Sequence, residues 1–300
     1  MKTFTIHCLS EAVSPITHNS GTAGNESMIA REPVHTERGV VYVPFLSGNA
    51  LRHRTVREPM AKWLISAYEL QGKLSKEQLN FLLHGGNLTM STAMENTQRI
   101  AEMQRLWPLL RLCGGALPDQ ILSGSMDVWR GTLLCEENRQ TCESVLRSLD
   151  GSESLVTGPL IPAERYLSGY QYTRGDAGKT GLAADRDDLI DSNLMIYSGQ
   201  AVTRGAMFLH GYVLKHVSEL EKGCLLFALR LWQFSGGTIG GNARLGHGRL
   251  STKLIGTADD QAAVDAYIQH VWDHKAEAVA WLEDAFVRKL KPKKGAKSNA

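Results

Sequence analysis

Apolar and polar residues alternate at the start of the chain, and this pattern predicts a β-strand. Over residues 3–9, Phe4, Ile6 and Cys8 fall on one side, while threonines and a histidine fall on the other. A period of two is that of a strand with one buried face. Other short runs rich in β-branched or aromatic residues predict further strands: 40–45, 123–134 (a strand or a hairpin), 205–214 and 248–255.

Helical periodicity separates these strands. An apolar stripe after Ser47 predicts a helix, with Ser47 or Asn49 as its N-cap and a kink or break at Pro59. The other segments with helical periodicity are 74–150 (mainly helical, and clearest at 98–112), 220–234 and 259–290.

Two polar stretches, 14–40 and 151–200, show little periodicity and are predicted to be loops. Loops of this length in a compact protein are usually functional. The resulting order is strand, helix, large insertion, strand, helix, strand. It indicates an α+β protein whose core is a ferredoxin-like split βαβ unit that carries insertions.

The composition is that of a globular protein. The 300 residues are 43% hydrophobic and carry a formal net charge of +2 at pH 7, so a nucleic-acid surface would need local clusters of basic residues. The cysteines form no CxxC pair, which favours reduced thiols. No signal peptide is recognisable, and the longest apolar run, 224–234, is too short to cross a bilayer. We expect a cytoplasmic protein without a membrane partner.

The stretch 236–250 has the densest glycine content in the chain. It combines six glycines with two arginines and a histidine, between a predicted helix and a predicted strand. Glycines let backbone amides approach a ligand, and arginines suit phosphate. Nucleotide-binding glycine loops have the opposite order, strand to helix, so a different phosphate polymer is indicated; the alternative is a flexible turn. The candidate ligand-binding residues are Gly240, Gly241, Asn242, Arg244, His247 and Arg249.

A second basic cluster opens the helix after Ser47. Anions are favoured where a helix begins, and arginines in the first turns add to this effect. The alternative is an ordinary capped helix with solvated arginines. The candidate residues are Ser47, Gly48, Asn49, Arg52, His53, Arg54 and Arg57.

A third cluster interleaves arginine and tyrosine, a combination that stacks on bases and neutralises phosphates. The alternative is a solvent-exposed loop. The candidate residues are Arg165, Tyr170, Tyr172, Arg174 and Lys179. A histidine pair, His270 and His274, and an acidic run at 185–191 lack the partners of a metal site. We predict neither a metal nor a cofactor, and no complete catalytic set.

Two motifs in this order resemble a known superfamily. The segment VPFLSGNALR at 43–52 resembles the first signature of the RAMP superfamily, and GGNARLGHGR at 240–249 resembles its C-terminal glycine-rich loop. The resemblance covers about 3–256. Within the superfamily, the chain is most similar to the backbone subunits of class 1 CRISPR effector complexes, the seventh Cas family, and among these to the type IV version.

This resemblance implies an RRM-like palm with inserted helical fingers and a β-hairpin thumb. It also implies binding to crRNA, further copies of the same chain, other effector subunits and target DNA or RNA, and a DinG-like helicase as a partner in type IV systems. The corresponding segments are 1–71 and 201–256 for the palm, 72–154 for the fingers, 155–200 for the thumb, 257–290 for a C-terminal helix and 291–300 for a basic disordered tail.

One position departs from the RNA-cleaving relatives. Type III backbone subunits cut target RNA with an aspartate after the first strand, and Glu26 occupies the matching stretch here. A longer side chain displaces the carboxylate, and catalysis depends on such geometry. We therefore expect a subunit that does not cleave. Metal-dependent cleavage through Glu26 is one alternative, and a small-molecule enzyme with a phosphate pocket in the glycine-rich stretch is another.

Overall fold

The computed structural model describes residues 2–23, 26–89, 96–149, 160–173, 196–255 and 260–286. The strands are β1 (Lys2–Ala12), β2 (Asn19–Ala23), β3 (Glu26–Ile29), β4 (Arg31–Thr36), β5 (Gly39–Leu46), β6 (Gly115–Ala116), β7 (Ile121–Leu122), β8 (Met126–Val128), β9 (Gly131–Leu133), β10 (Leu167–Thr173), β11 (Ile196–Val202), β12 (Met207–Val217) and β13 (Leu250–Ile255).

The α-helices are α1 (Gly48–Leu51), α2 (Glu58–Ala67), α3 (Lys76–His84), α4 (Thr97–Leu106), α5 (Pro108–Cys113), α6 (Arg139–Arg147), α7 (Glu219–Phe234), α8 (Gln261–Asp273) and α9 (Lys275–Ala285). A π-helical segment, Arg52–Arg57, joins α1 to α2, and short 3-10 turns cover Ala163–Tyr166 and Ala243–Leu245. Helices and antiparallel sheets together confirm the predicted α+β class.

The largest sheet has the strand order β13-β1-β12-β9-β5-β4, and β8 also pairs with β12. The pairs are antiparallel, with Ile6 opposite Tyr212 and His7 opposite Ile255. Ile6 and Cys8 are buried against helices, as the alternation predicts. The predicted strands at 3–9, 40–45, 205–214 and 248–255 are thereby confirmed.

Helices α2, α5, α7, α8 and α9 contribute to the main core on one face of this sheet. Helix α7 begins with a capping box. The Ser218 side chain accepts from the backbone of the first turn, and the Glu221 side chain accepts from the Ser218 N–H. It crosses α8 at Gly223, where a Cβ atom would lie 2.0 Å from the carbonyl oxygen of Ala263. A smaller cluster packs α6 against Leu9 and Leu209 on the opposite face.

The irregularity predicted at Pro59 is present one turn earlier, as the π-helical segment. The N–H of Glu58 bonds to the carbonyl of His53, five residues back. Since Pro59 has no N–H for the carbonyl four residues back, a regular α-helical ladder cannot continue through this turn. Thr55 donates to the carbonyl of Leu51 at 2.8 Å and therefore accepts from the Tyr212 hydroxyl at 2.7 Å, which ties the turn to β12.

The prediction of a loop over 14–40 is wrong, because strands β2, β3 and β4 form there. β2 is exposed along its whole length and so has no apolar alternation. β3 pairs in parallel with β11, which lies far along the chain, and no local pattern reports such a pairing. β4 includes Pro33 and lies at the end of the large sheet, where a missing N–H is tolerated.

Two predicted helices are divided. The segment 98–112 breaks at Trp107, which is not helical because Pro108 disfavours the α conformation in the residue before it. The segment 259–290 divides into α8 and α9 at His274, where neither glycine nor proline marks the break.

The stretch 72–154, predicted as a mainly helical insertion, contains α3 to α6 but also part of the large sheet. β8 and β9 both run antiparallel to β12. They therefore run in the same direction and do not form the hairpin that was one interpretation of 123–134.

The stretch 151–200, predicted as a loop and by resemblance as a β-hairpin, contains the antiparallel pair β10 and β11. These strands form a second sheet in the order β10-β11-β3-β2. Arg174, Lys179 and the tail 291–300 lie outside the described residues. In the described ranges, no helix has the length and apolar character to cross a membrane.

Candidate nucleic-acid interface

The glycine-rich stretch 236–250, called the glycine loop below, is held in one conformation. Gly240 has φ +74°, and a Cβ atom there would lie 2.1 Å from the carbonyl oxygen of Thr17. Gly248 has φ +87°, and its Cβ would lie 2.2 Å from the carbonyl oxygen of Ile239. Both positions therefore require glycine, because φ is positive and because another backbone segment passes very close.

Hydrogen bonds fasten the glycine loop to the segment that follows β1. The Gly241 N–H donates to the Thr17 carbonyl at 2.8 Å, and the Thr17 hydroxyl donates to the Gly241 carbonyl at 2.8 Å. The Gly248 N–H donates to the Pro15 carbonyl at 2.7 Å. These three hydrogen bonds favour a fixed loop over the alternative of a flexible turn.

Two cations project from this fixed loop. Arg244 is exposed in the 3-10 turn between Asn242 and Gly246, which are both left-handed. Arg249 is exposed as well, while its backbone N–H donates to the Ser14 hydroxyl at 3.0 Å. In the part of the chain that the structure describes, neither guanidinium forms an ion pair.

The turn at Ser47–Arg52, called the Ser47 turn below, confirms Ser47 as the N-cap. Its hydroxyl accepts from the N–H of Ala50 at 3.2 Å, and its own N–H donates to Nε2 of His18 at 3.1 Å. Burial lowers the pKa of His18, so the ring is neutral near pH 7 and Nε2 can accept. Gly48 is required because a Cβ atom would lie 2.8 Å from the carbonyl oxygen of Val128.

The basic residues at the end of the Ser47 turn and just after it have different environments. Arg52 is half-buried and donates to the side-chain oxygen of Asn49 at 3.1 Å. Arg54 forms an ion pair with Glu58 at 2.8 Å and remains 40% exposed. His53 lies 3.7 Å from Glu58, and burial is the main cause that lowers its pKa.

Arg57 is a correction to the predicted interface. It is only 5% exposed. Its guanidinium donates to the carbonyls of Phe81 at 3.2 Å and Cys113 at 3.1 Å, and also to that of Gly114. Three of its five N–H donors bind backbone carbonyls and the side chain is buried, so Arg57 supports the structure and is not an exposed cation.

The third cluster lies on the β10–β11 hairpin as a ladder of three tyrosines. The rings of Tyr170 and Tyr172 are parallel within 9° at 6.3 Å, and those of Tyr172 and Tyr197 within 14° at 5.3 Å. Tyr170 lies over Gly199, where a Cβ atom would come 2.5 Å from its hydroxyl. The ladder is half-buried, so its tyrosines are not ordinary residues of a solvent-exposed loop.

Tyr170 also joins the ladder to the glycine loop. Its hydroxyl accepts from the side-chain amide of Asn242 at 3.0 Å, and its ring meets that of His247 edge-on at 5.0 Å. Arg165 is exposed in the 3-10 turn just before β10, at the base of the hairpin.

Sequence reasoning missed Thr17, His18 and Tyr197. Thr17 and His18 lie in the stretch predicted as a loop, and isolated polar residues there give no signal. Tyr197 pairs with Tyr172 across the hairpin, and the alternation of Tyr170 and Tyr172 would have predicted an aromatic partner had the strand been recognised.

Glu26 is half-buried at the start of β3, opposite Ser198 of β11. Among the described residues, no three histidine, cysteine or acidic side chains cluster closely enough to hold a metal ion. His270 and His274 stack at 4.3 Å at the C-terminal end of α8, and both bond to backbone carbonyls.

Comparison with known proteins gives a match at the level of the fold. No protein-family model matches the chain. No curated protein sequence matches it. A solved chain of a "Type IV-B CRISPR Complex" superposes with a TM-score of 0.54 and 16% sequence identity, over 85% of this chain and 92% of that chain. The protein therefore has the fold of a chain found in a type IV-B CRISPR complex.

Proposed function

We propose that this protein is a crRNA-binding backbone subunit of a type IV-like CRISPR effector complex. One observation carries the proposal: the consecutive residues Thr17 and His18 bond to the glycine loop and to the Ser47 turn, respectively. The two motifs that suggested this function lie about 190 residues apart in the sequence, yet a single dipeptide holds both. A continuous phosphate backbone could contact both motifs.

The strand order of the large sheet supports an RRM-like palm. β13-β1-β12-β9 places the last, first, third and second core strands side by side, all antiparallel, with helices after the first and third. This is the order expected of a ferredoxin-like split βαβ unit. Helices α3 to α6, without the palm strands β8 and β9 that lie among them, then correspond to the fingers, and the β10–β11 hairpin corresponds to the thumb.

The chemistry of the surface supports single-stranded RNA. Arg52, Arg244 and Arg249 supply charge for phosphates without reading sequence. The tyrosine ladder supplies flat apolar surface, and base–aromatic stacking tolerates every base. A guide-binding subunit needs this combination, because each copy must hold a different part of the guide.

Exposed apolar side chains support assembly with other protein chains. Val40 and Tyr42 are 50% and 62% exposed on β5, beside the end of the large sheet, and Phe234 at the end of α7 is 93% exposed. Such side chains become buried in interfaces. We infer that further copies of this chain and other effector subunits are the partners, that target DNA or RNA pairs with the bound guide, and that a DinG-like helicase acts with the complex.

We further propose that the subunit does not cleave its target. Within the described ranges, no cluster of potential metal ligands accompanies Glu26. The alternative, metal-dependent cleavage of target RNA through Glu26, makes a different prediction. Periodic cleavage products that require a divalent metal and disappear in Glu26→Ala would establish the alternative and overturn this part of the proposal.

Co-expression with a guide RNA tests the function. We expect the protein to purify with RNA of defined length, and electron microscopy to show repeating copies along it. Arg52→Ala with Arg249→Ala should reduce RNA recovery, whereas Arg147→Ala on α6 should not, since Arg147 pairs with Glu143 away from the motifs. Purification as a nucleic-acid-free protein would favour a small-molecule enzyme instead.

A further inference from the structure

A cleft of about 580 Å³ lies beside the Ser47 turn, between the π-helical segment, the end of α3 and the β6–β7 hairpin. Its volume falls within the range of about 300–1,000 Å³ that small-molecule sites occupy. We call it the histidine cleft, and its lining includes Arg52, His53, His84, Gly115, Ile121 and Leu122.

The histidine cleft has rigid walls. The buried guanidinium of Arg57 holds the carbonyls of Phe81 and Cys113 together beneath it. A Cβ atom on Gly86 would lie 2.2 Å from the carbonyl oxygen of Ala116, so the backbones at the two sides of the cleft are in direct contact. Contacts within the protein therefore fix the shape of the cleft.

The two walls differ in chemistry. One wall presents Arg52 with the rings of His53 and His84, which stack at 5.4 Å and 27°. The other wall includes Ile121, which is 63% exposed, and its buried neighbour Leu122. An inorganic anion would use only the first wall, and an aliphatic ligand would leave the cation of the first wall without a partner.

Two carboxylates near this wall, Asp127 and Glu58, have other cationic partners, and that of Asp127 is Lys215. Glu58 lies 3.7 Å from His53, but it also pairs with Arg54 and Lys62, each at 2.8 Å. Arg52 therefore remains available to an anionic group, and the two histidine rings provide hydrogen-bonding atoms and flat surface.

The cleft continues toward the proposed RNA path. A second cleft of about 460 Å³ runs along the Ser47 turn against Met126–Val128. Asn49 and Arg52 line both clefts. A chain that passes along the Ser47 turn can therefore place one of its units in the histidine cleft without leaving Arg52.

We propose that the histidine cleft binds one nucleotide of the bound RNA, with its base between the histidine rings and Ile121 and its phosphate at Arg52. This inference rests on the proposed function, since the nucleotide belongs to the RNA that the glycine loop and the Ser47 turn hold. A nucleotide matches both walls because it combines a flat base with an anionic phosphate.

Site-specific cross-linking tests the proposal. Ile121 is 63% exposed, so a photoreactive phenylalanine analogue at this position should not disturb folding. The matched control carries the same analogue at Trp272, which is 49% exposed on α8 and does not line the cleft. In complexes with guide RNA, we expect cross-links from position 121 to nucleotides at regular spacing, and none from position 272.

Point variants supply a second measurement. Ile121→Glu places a carboxylate at the cleft and should weaken RNA binding about threefold to tenfold, whereas the neutral Ile121→Gln should change it less than twofold. His84→Ala should weaken binding, because it removes one of the two stacked rings. Equal affinities for Ile121→Glu and Ile121→Gln would overturn the proposal.

Three outcomes separate the possible failures. If wild-type protein binds no RNA, the proposed function falls and this inference with it. If it binds RNA but position 121 gives no cross-link, only the cleft assignment falls. If adenosine monophosphate binds the RNA-free protein, and RNA neither displaces it nor cross-links to position 121, the cleft serves a free nucleotide and the inference is wrong.

Discussion

The side-chain amide of Asn242 donates a hydrogen bond to the hydroxyl of Tyr170 over 3.0 Å. This bond joins the glycine loop to the β10–β11 hairpin, although the two residues lie 72 positions apart. Asn242 adopts a left-handed backbone conformation with φ 56°, which places its side chain toward the hairpin and is tolerated by asparagine better than by most residues. The loop and the tyrosine ladder therefore form one surface.

Removing that bond should loosen the surface. Tyr170→Phe keeps the stacked ring but leaves the Asn242 amide without its acceptor, so we expect a loss of about 1 kcal/mol in the free energy of unfolding. Urea denaturation measures it. Tyr172→Phe is the control, since its hydroxyl has no hydrogen-bond partner within the described ranges. Equal effects of the two variants would show that the Asn242 bond contributes nothing.

The arginines of the two motifs should contribute to RNA affinity through phosphate contacts. In the Arg52→Ala and Arg249→Ala double variant, we expect weaker binding to all RNA sequences alike, with the slope of log affinity against log salt reduced by about one unit per lost contact. Fluorescence anisotropy at several salt concentrations measures the slope. An unchanged slope in a folded double variant would contradict this assignment.

The crossing of α7 and α8 depends on a glycine. Gly223→Ala places a methyl group 2.0 Å from the Ala263 carbonyl oxygen, so the helices must separate. We expect a loss of about 1–3 kcal/mol in the free energy of unfolding, despite the better helix propensity of alanine.

The control variant for Gly223→Ala is Gly169→Ala. A Cβ atom on this exposed glycine of β10 would meet only one atom, 3.9 Å away. It should be neutral or slightly stabilising. A neutral Gly223→Ala would mean that α8 can move away from α7 without a loss of packing.

Buried His210 should make folding sensitive to acid. Burial lowers its pKa to about 4, whereas in the unfolded chain the pKa is about 6.5. The unfolded state therefore binds the proton first, and the stability contributed by the neutral ring is complete above pH 6.5 and decreases as the pH falls toward 4. Between pH 7.5 and pH 5 we expect a loss of about 2 kcal/mol from this residue.

His210→Gln removes the titration while it retains a polar partner for the Ser10 hydroxyl, which lies 2.8 Å from the histidine ring. Other half-buried histidines add to the pH dependence of the wild type, so the relevant quantity is the difference between the two proteins. Urea denaturation at both pH values gives it. If the variant loses as much stability as the wild type on acidification, His210 is not the group that titrates.

The sequence by itself determined the elements whose pattern is local. Alternation predicted β1 because one face is buried against helices, and apolar periodicity predicted α7. Ser47 was predicted as an N-cap because its hydroxyl satisfies an amide three residues away. The glycine loop was recognisable for a similar reason, since positive φ angles and close backbone approach require glycine at Gly240 and Gly248.

Only the tertiary structure decided which of these elements meet. β2 escaped detection because it is exposed along its whole length, and β3 because its partner β11 comes from a distant segment. Arg52 and Arg57 looked alike in the sequence, and the structure separated them by burial, since only Arg57 finds three backbone carbonyls within reach. Thr17 and His18 carry no signal of their own. Their role exists only because the folded chain brings the glycine loop and the Ser47 turn to the same dipeptide.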